Sequence, residues 1–261
     1  MYTNAYSLTN KMCEIETYAK LYDADIILIT EYLSKNPSSN FINIFNIEGF
    51  NALENNEGRG VCAFYKNNLE LKKHDFINEM YSPSLFFSIK TKSKPLNIGL
   101  VYRSPNSKEE ENKKMNNQLI FATKKLKNLV TFGDFNHPSI DWENFYCKKN
   151  ENHCDSQFLF QVVKMNTNQL ITSNTHHKPK CKPSLIDLIL TKTPDLISNI
   201  KHNPPLAKSH HDVITAKIKT DHNLKCNNKS IKNVKIIKPN FDKADFSAIN
   251  SYFYDVDWEV L

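Results

Sequence analysis

Apolar residues in "DIILIT" follow one another without a polar break and stop at Glu31. A run of that length suits a strand covered on both faces. "GVCAFYK" (60–66), "SLFFSIK" (84–90) and "LNIGLVYRS" (96–104) are similarly β-rich, with "NNEGRG" and "KSKP" as turns. Ahead of the first run, Leu8, Met12, Ile15, Ala19 and Tyr22 fall on one helical stripe. Met115, Leu119 and Ala122 do the same in the charged stretch "SKEEENKKMNNQLIFATKKLKN", which delivers the chain to a further strand, "LVTFGD". A helix is expected around 155–168, then strands in "SLIDLILTK" and "DVITAKI". Strands outnumber helices, and the helices sit between strand groups. The pattern predicts an α/β or α+β layered domain, two sheets face to face with helices outside.

After about residue 219 the pattern changes. "KTDHNLKCNNKSIKNVKIIKP" reads as a Lys- and Asn-rich linker, and "NFDKADFSAINSYFYDVDWEVL" as the beginning of another element. The expected organisation is a domain over 1–219, a basic linker over 220–239 and a final segment over 240–261. Between Lys217 and Lys238 seven Lys face one Asp, so this stretch carries the whole net charge of +6. A balanced body points to phosphate chemistry done locally, by a metal ion, and not by a coat of lysines.

Hydrophobic residues make up 40% of the 261 and aromatics 11%, enough for a sizeable core. The 5 Gly include neither GxGxxG nor GxxxxGK[ST], which argues against dinucleotide and P-loop chemistry. Six Cys are scattered without a CxxC pair, and no apolar run approaches the roughly 18 residues of a membrane span. Together with the absence of a signal-peptide core, this predicts an intracellular protein with reduced thiols and no membrane partner. "CKKNENHC" and the His176–His177 pair fit no standard zinc spacing.

Candidate chemistry gathers at the strand ends. "YTN" ends at Asn4, "DIILITE" at Glu31, and "GLVYRSPN" offers Tyr102, with Arg103 and Asn106 beside it as candidate substrate contacts. "VTFGDFN" offers Asp134 and Asn136, and "KSHHDV" offers His210 and His211. Asp187 lies amid Leu185, Ile186, Leu188 and Ile189, where a carboxylate is costly unless a charge or hydrogen bond meets it. Each position alone has an ordinary structural explanation. Six of them in one domain point to a site. "THHKPKCKPS" (175–184) adds Lys and His cations that could meet a phosphate backbone, or simply form a solvated loop.

The order and wording of "YTNAYSLTNK", "DIILITE", "IGLVYRSPNS", "FGDFNHPSIDW", "LIDLILTKTPDLI" and "KSHHDVI" resemble the endonuclease/exonuclease/phosphatase superfamily. More narrowly, they are similar to the endonuclease domain of non-LTR retrotransposons, over residues 2 to about 219. The resemblance implies a deoxyribonuclease-like α/β sandwich of four layers, two packed mixed β-sheets flanked by helices, with the site at one end of the sheets. It implies a divalent-metal-dependent DNA-nicking endonuclease that leaves a 3′-hydroxyl. DNA would be the partner, the nucleus the location, and a reverse transcriptase the natural fusion partner. Asp134 would orient or deprotonate the attacking water, Asn136 hold water or phosphate, and Tyr102 contact the phosphate or leaving group. His211 would donate to a phosphoryl oxygen with Asp187 behind it. Glu31 would be the principal Mg²⁺ ligand, with Asn4 adjacent.

Two positions depart from the family's wording. Ser209-His210-His211 stands where Ser-Asp-His is usual, and Tyr6 stands where a second acidic or polar residue is common. Both changes remove negative charge from the metal's surroundings. Imidazole is a poor ligand for Mg²⁺ and a good one for Mn²⁺, so His210 points either to a shift toward Mn²⁺ or to decay of the site. The alternatives to the nuclease are therefore a catalytically degenerate remnant that at most binds DNA, and a hydrolase of a non-nucleic phosphoester.

Overall fold

The computed structural model describes residues 1–33, 46–92, 94–220 and Ala248. The chain divides into a unit Met1–Leu224 and a unit Lys225–Leu261, and both large sheets lie wholly in the first. The expected linker and final segment lie, Thr220 and Ala248 aside, outside the described residues.

The chain opens with β1 (Tyr2–Asn4), α1 (Met12–Leu21), β2 (Ile26–Thr30), β3 (Phe50–Asn55) and β4 (Val61–Lys66). It then builds β5 (Leu71–Lys73), α2 (Asp75–Asn78), β6 (Ser84–Ile89), β7 (Leu96–Tyr102), α3 (Glu109–Lys125) and β8 (Leu129–Asp134). A small hairpin of β9 (Ile140–Asp141) and β10 (Tyr146–Cys147) precedes α4 (Cys154–Lys164). The path ends with β11 (Asn168–Gln169), β12 (Asp187–Thr191), β13 (Ile197–Asn203) and β14 (Val213–Ile218). The first sheet has the order β13-β14-β1-β2-β4-β3 and the second β11-β12-β8-β7-β6-β5. Both are mixed, with β1–β2 and β7–β8 as their parallel pairs.

Alternate residues of the central strands face different layers, which is why those strands read as unbroken apolar runs. Leu28, Val61 and Ala63 of the first sheet meet Phe87, Leu100, Val130 and Ile189 of the second in the middle of the sandwich. Ile27, Ile29 and Phe64 point the other way and are covered by Ile15 and Ala19 of α1. Phe86, Val101 and Leu188 point outward from the second sheet onto Met115 and Leu119 of α3 and Phe158 and Val162 of α4. The result is the four-layered α/β sandwich. Each such large side chain stabilises the fold by roughly 1.5–3 kcal/mol on burial. Helix α3 is also locally well specified, with Glu109, Glu110 and Glu111 in its first turn and Lys124 and Lys125 in its last. Among the described residues no helix is long and apolar enough to cross a membrane.

One detail differs from the sequence expectation. The helix expected over 155–168 runs Cys154–Lys164 and gives way to β11. The first strand, with only three residues, is an interior strand flanked by β14 and β2.

Candidate active site

Strand register alone brings the first three candidates together. Tyr102 pairs with Asp134 across β7–β8, and Asp134 pairs with Asp187 across β8–β12, so three neighbouring strands end in functional side chains. In the first sheet Asn4 pairs with Thr30, which places it beside Glu31 at the end of β2. The two groups meet across the seam between the sheets. The Asn4 side-chain nitrogen, Nδ2, donates to Glu31 Oε1 at 2.8 Å and to Asp134 Oδ2 at 2.8 Å. Asn4 Oδ1 accepts from the backbone N–H of Tyr6 at 2.9 Å.

A second bridge lies behind the first. Asp187, fully buried, accepts from Tyr2 OH at 2.7 Å and lies 2.8 Å from His211 Nδ1. Tyr2 comes from the first sheet, and His211 from the loop before β14. That loop is fixed by Ser209, whose hydroxyl donates to Asn4 O at 2.7 Å and accepts from His211 N–H at 3.2 Å. Thr175 Oγ1 accepts the backbone N–H of Asp187 at 3.1 Å, tying in the stem of the 175–184 loop. The costly carboxylate in an apolar strand is thus met by a phenol and an imidazole, while the backbone beside it is tied to the Thr175 hydroxyl.

The electrostatics follow from burial and proximity. Burial first, then the Asp187 and Glu31 charges, push Asp134 up to about 8 from an ordinary 3.8, against His211 and Asn4. Burial alone would push His211 down, but Asp187, followed by Asp134 and Glu31, lifts it to about 9. Asp187 is also penalised by burial, yet His211, Tyr2 and Thr175 hold it below the usual carboxylate range. Burial, with Glu31 and Asp134 adding to it, pushes the Tyr102 phenol far up, so it stays protonated. The backbone is left-handed at Tyr6 (φ 47°), Glu31 (φ 50°) and Asn136 (φ 49°), a concentration of strain typical of sites that over-determine their geometry.

Other candidates sit differently. Asn136 is held by its own neighbours: its N–H donates to Asp134 Oδ1 at 3.2 Å and its Nδ2 to Arg103 O at 2.7 Å. Arg103 is 3% exposed and turned inward, with Nε on Asn112 Oδ1 at 2.6 Å and Nη1 on Asn136 O at 2.9 Å. Its guanidinium thereby holds the Asn136 loop. Asn106 is exposed in the turn after β7. Among the described residues no hydrogen bond or ion pair joins the His210 ring to Glu31, Asn4 or Asp134; its ring lies edge-on to His176, 6.2 Å away.

Sequence reasoning missed Tyr2 and Arg59. Arg59 Nη2 lies 2.8 Å from Glu31 Oε2, and its turn carried no signal beyond "NNEGRG". It also missed His137, which stacks on Phe158 at 4.4 Å and pairs through Nδ1 with Asp155 Oδ1 at 2.9 Å. With Cys154 these two could hold a metal ion, as could Asp134, Asp187 and His211. The Cys154 sulfur is 3.5 Å from the Arg103 guanidinium and at the positive end of α4, which disfavours a cation there. On the other side Glu31 and Asp134 offer carboxylate oxygens, the chemistry a hard divalent cation prefers, with the Asn4 amide nitrogen bridging them.

Residues 96–215 match the endonuclease-reverse transcriptase family. No curated protein sequence matches the chain. Among solved structures, the endonuclease domain of TRAS1, a telomere-specific non-LTR retrotransposon, is 16% identical with a TM-score of 0.63, covering 84% of this chain and 98% of that one. The 3′-5′ exonuclease NExo from Neisseria meningitidis is 14% identical with a TM-score of 0.60, over 84% and 99% of the two chains. The AP endonuclease LMAP from Leishmania major is 10% identical with a TM-score of 0.60, over 84% and 87%. Over residues 96–215 the chain thus matches the endonuclease-reverse transcriptase family, and over 84% of its length it has the fold of these solved nuclease domains.

Proposed function

We propose that the domain is a divalent-metal-dependent endonuclease, retrotransposon-derived, that nicks one DNA strand and leaves a 3′-hydroxyl. The observation that carries this reading is the meeting of the Asn4–Glu31–Asp134 cluster with the Asp187–His211 pair at one seam. Glu31 and Asp134 would hold Mg²⁺, or Mn²⁺, through oxygen, with the adjacent Asn4 orienting both carboxylates. A cation bound there would neutralise phosphate charge and favour the ionised form of Asp134. Asp134 takes the proton of the attacking water, whose oxygen bonds to phosphorus as the P–O3′ bond breaks. The Asp187 carboxylate holds His211 through Nδ1, which leaves Nε2 to donate to a phosphoryl oxygen. Tyr102, kept protonated, donates to the phosphate or to the departing O3′. DNA and a reverse transcriptase on the same polyprotein are the partners on this reading, and the nucleus is the place of action.

Asp134 must be ionised and His211 protonated for this chemistry. The nicking rate is therefore expected to fall as pH rises through about 9, where His211 loses its proton, and on the acid side to fall only below about 8, because the cation favours the ionised Asp134. A rate that falls steadily above neutrality contradicts the assignment.

One observation favours a second reading, a domain that folds and binds DNA without cutting it. His210 is not joined to the acidic cluster, so the negative charge an Asp would bring is missing. Supercoiled plasmid in Mg²⁺ and in Mn²⁺, with Asp134→Ala and His210→Asp alongside the parent, decides between the two. Nicking by the parent that disappears in Asp134→Ala supports the nuclease. His210→Asp is expected to raise the rate in Mg²⁺ by about tenfold, since each added carboxylate strengthens a hard-cation site. Silence from the parent with nicking by His210→Asp identifies a relic.

A further inference from the structure

Glu31 is the carboxylate that the proposed function needs for its cation, and both of its oxygens are engaged. Oε1 accepts from Asn4, and Oε2 lies 2.8 Å from Arg59 Nη2, with the two side chains only 12% and 17% exposed. The backbone around Arg59 is tightly held. Its carbonyl accepts from Leu33 N–H at 3.1 Å, and the next residue, Gly60, has φ 70°. A Cβ on Gly60 would overlap the Tyr32 ring, so the turn allows glycine alone. The guanidinium then lies over the ring of Tyr6, 5.1 Å from its centroid, at the mouth of the site.

The donors of that guanidinium are not used up. Among the described residues Nε has no acceptor although it is buried, and Nη2 is close to Glu31 without hydrogen-bond alignment. A buried arginine serving structure alone is expected to have its fork satisfied, as Arg103 does on Asn112 and Asn136. An unfilled fork beside a phosphodiester site has an obvious complement, because guanidinium matches two phosphate oxygens. A cation and Arg59 also cannot share Glu31 Oε2 without mutual repulsion.

We propose that Arg59 exchanges Glu31 for a backbone phosphate of the DNA. Without a cation it guards the carboxylate; with one, it is released to the substrate. The inference rests on the nuclease reading, which supplies the polyanionic ligand.

The test uses Arg59→Gln and two measurements that need no turnover. Mn²⁺ titrated without DNA is expected to bind the variant about fivefold more tightly than the parent, the worth of a partly exposed ion pair. Binding of a short duplex in Ca²⁺, followed across salt concentration, is expected to show a log–log slope shallower by about 0.9, as when one phosphate fewer is neutralised. Unchanged or weaker Mn²⁺ binding, or an unchanged slope, overturns the exchange and leaves Arg59 a fixed ion pair. Should Arg59→Gln fail to fold, Arg59→Lys is expected to move the Mn²⁺ affinity the same way by a smaller factor, and no movement overturns the proposal. A parent that binds DNA but never nicks sinks the nuclease reading while both measurements still judge Arg59. A parent that binds no DNA sinks both.

Discussion

Asp134→Asn is expected to slow nicking by on the order of a thousandfold and, above neutral pH, to make the domain more stable. The loss follows from removing a general base, worth about 10²–10⁴ in rate. The gain follows from what surrounds the carboxyl. Asp134 is 1% exposed and shares its corner with Asp187 and Glu31, so ionising it in the folded protein is expensive. Burial and those charges raise it to about 8 in the fold, against an ordinary 3.8 when unfolded. The folded state therefore binds the proton more tightly, and this group's contribution falls as pH rises from 3.8 towards 8. The steepest slope is about 1.4 kcal/mol per pH unit. An amide cannot ionise, so the slope disappears in the variant. Against this stands a local cost. Asp134 accepts from Asn4 Nδ2 and from Asn136 N–H, and an amide nitrogen would face one of those donors, at about 1 kcal/mol. The cost decides at about pH 4, close to the unfolded value, where the variant is expected to be slightly weaker than the parent; at about pH 8 the gain decides, by roughly a few kcal/mol. Urea denaturation of both proteins at the two pH values measures it. A difference that does not change with pH means that Asp134 ionises normally in the fold.

Gly133→Ala is expected to cost about 3 kcal/mol or more, the upper end for overpacking, and to leave little folded protein. Gly133 sits in β8 between Val101 of β7 and Leu188 of β12. An added Cβ would overlap the carbonyl oxygen of Val101, and Phe135 Cε2 would lie 3.2 Å away. The obstacle is backbone in a central parallel pair, so no side chain can move aside. Gly99, one strand over, gives the contrast. Its Cβ would meet Phe86 Cε1 at 2.6 Å and Thr131 Oγ1 at 3.0 Å, both side chains. Gly99→Ala should therefore be partly rescued by Phe86→Leu, while trimming Phe135 leaves Gly133→Ala unrescued. Circular dichroism melts of these variants are the measurement, and a folded, unshifted Gly133→Ala would contradict the close approach of β7 to β8. The glycine before Asp134 is thus an architectural requirement that also sets the Asp134 carboxyl at its height.

Burial on both faces made β2, β6, β7 and β8 legible in the sequence, because each leaves a continuous apolar run. β3 and β13 were not legible, because no residue of β3 is buried and only Ile197 of β13 is. Both are outer strands, where polar residues suit an exposed edge. Asp187 stood out because a carboxylate amid leucines and isoleucines demands partners, and His211 and Tyr2 are those partners. Tyr2 could not be foreseen, since 185 residues separate it from Asp187. Arg103 closes the β-rich run "LNIGLVYRS" and Arg59 lies in the turn "NNEGRG", and neither position shows in sequence where its guanidinium goes. Packing alone sent the first inward onto Asn112 and the second to the mouth of the site onto Glu31.

The seam has a consequence in time. Tyr2 and Asn4 leave the ribosome well ahead of the groups they must find, Asp187 and the Ser209–His211 loop. A nascent chain that has not yet reached Ser209 already carries Glu31, Asp134 and Asp187. It lacks the imidazole, the hydroxyl that locks Asn4, and the β14 strand that flanks β1. Contacts so distant in sequence are also the slowest to form. The carboxylates are therefore translated long before the imidazole and hydroxyl that complete their hydrogen-bonded cluster.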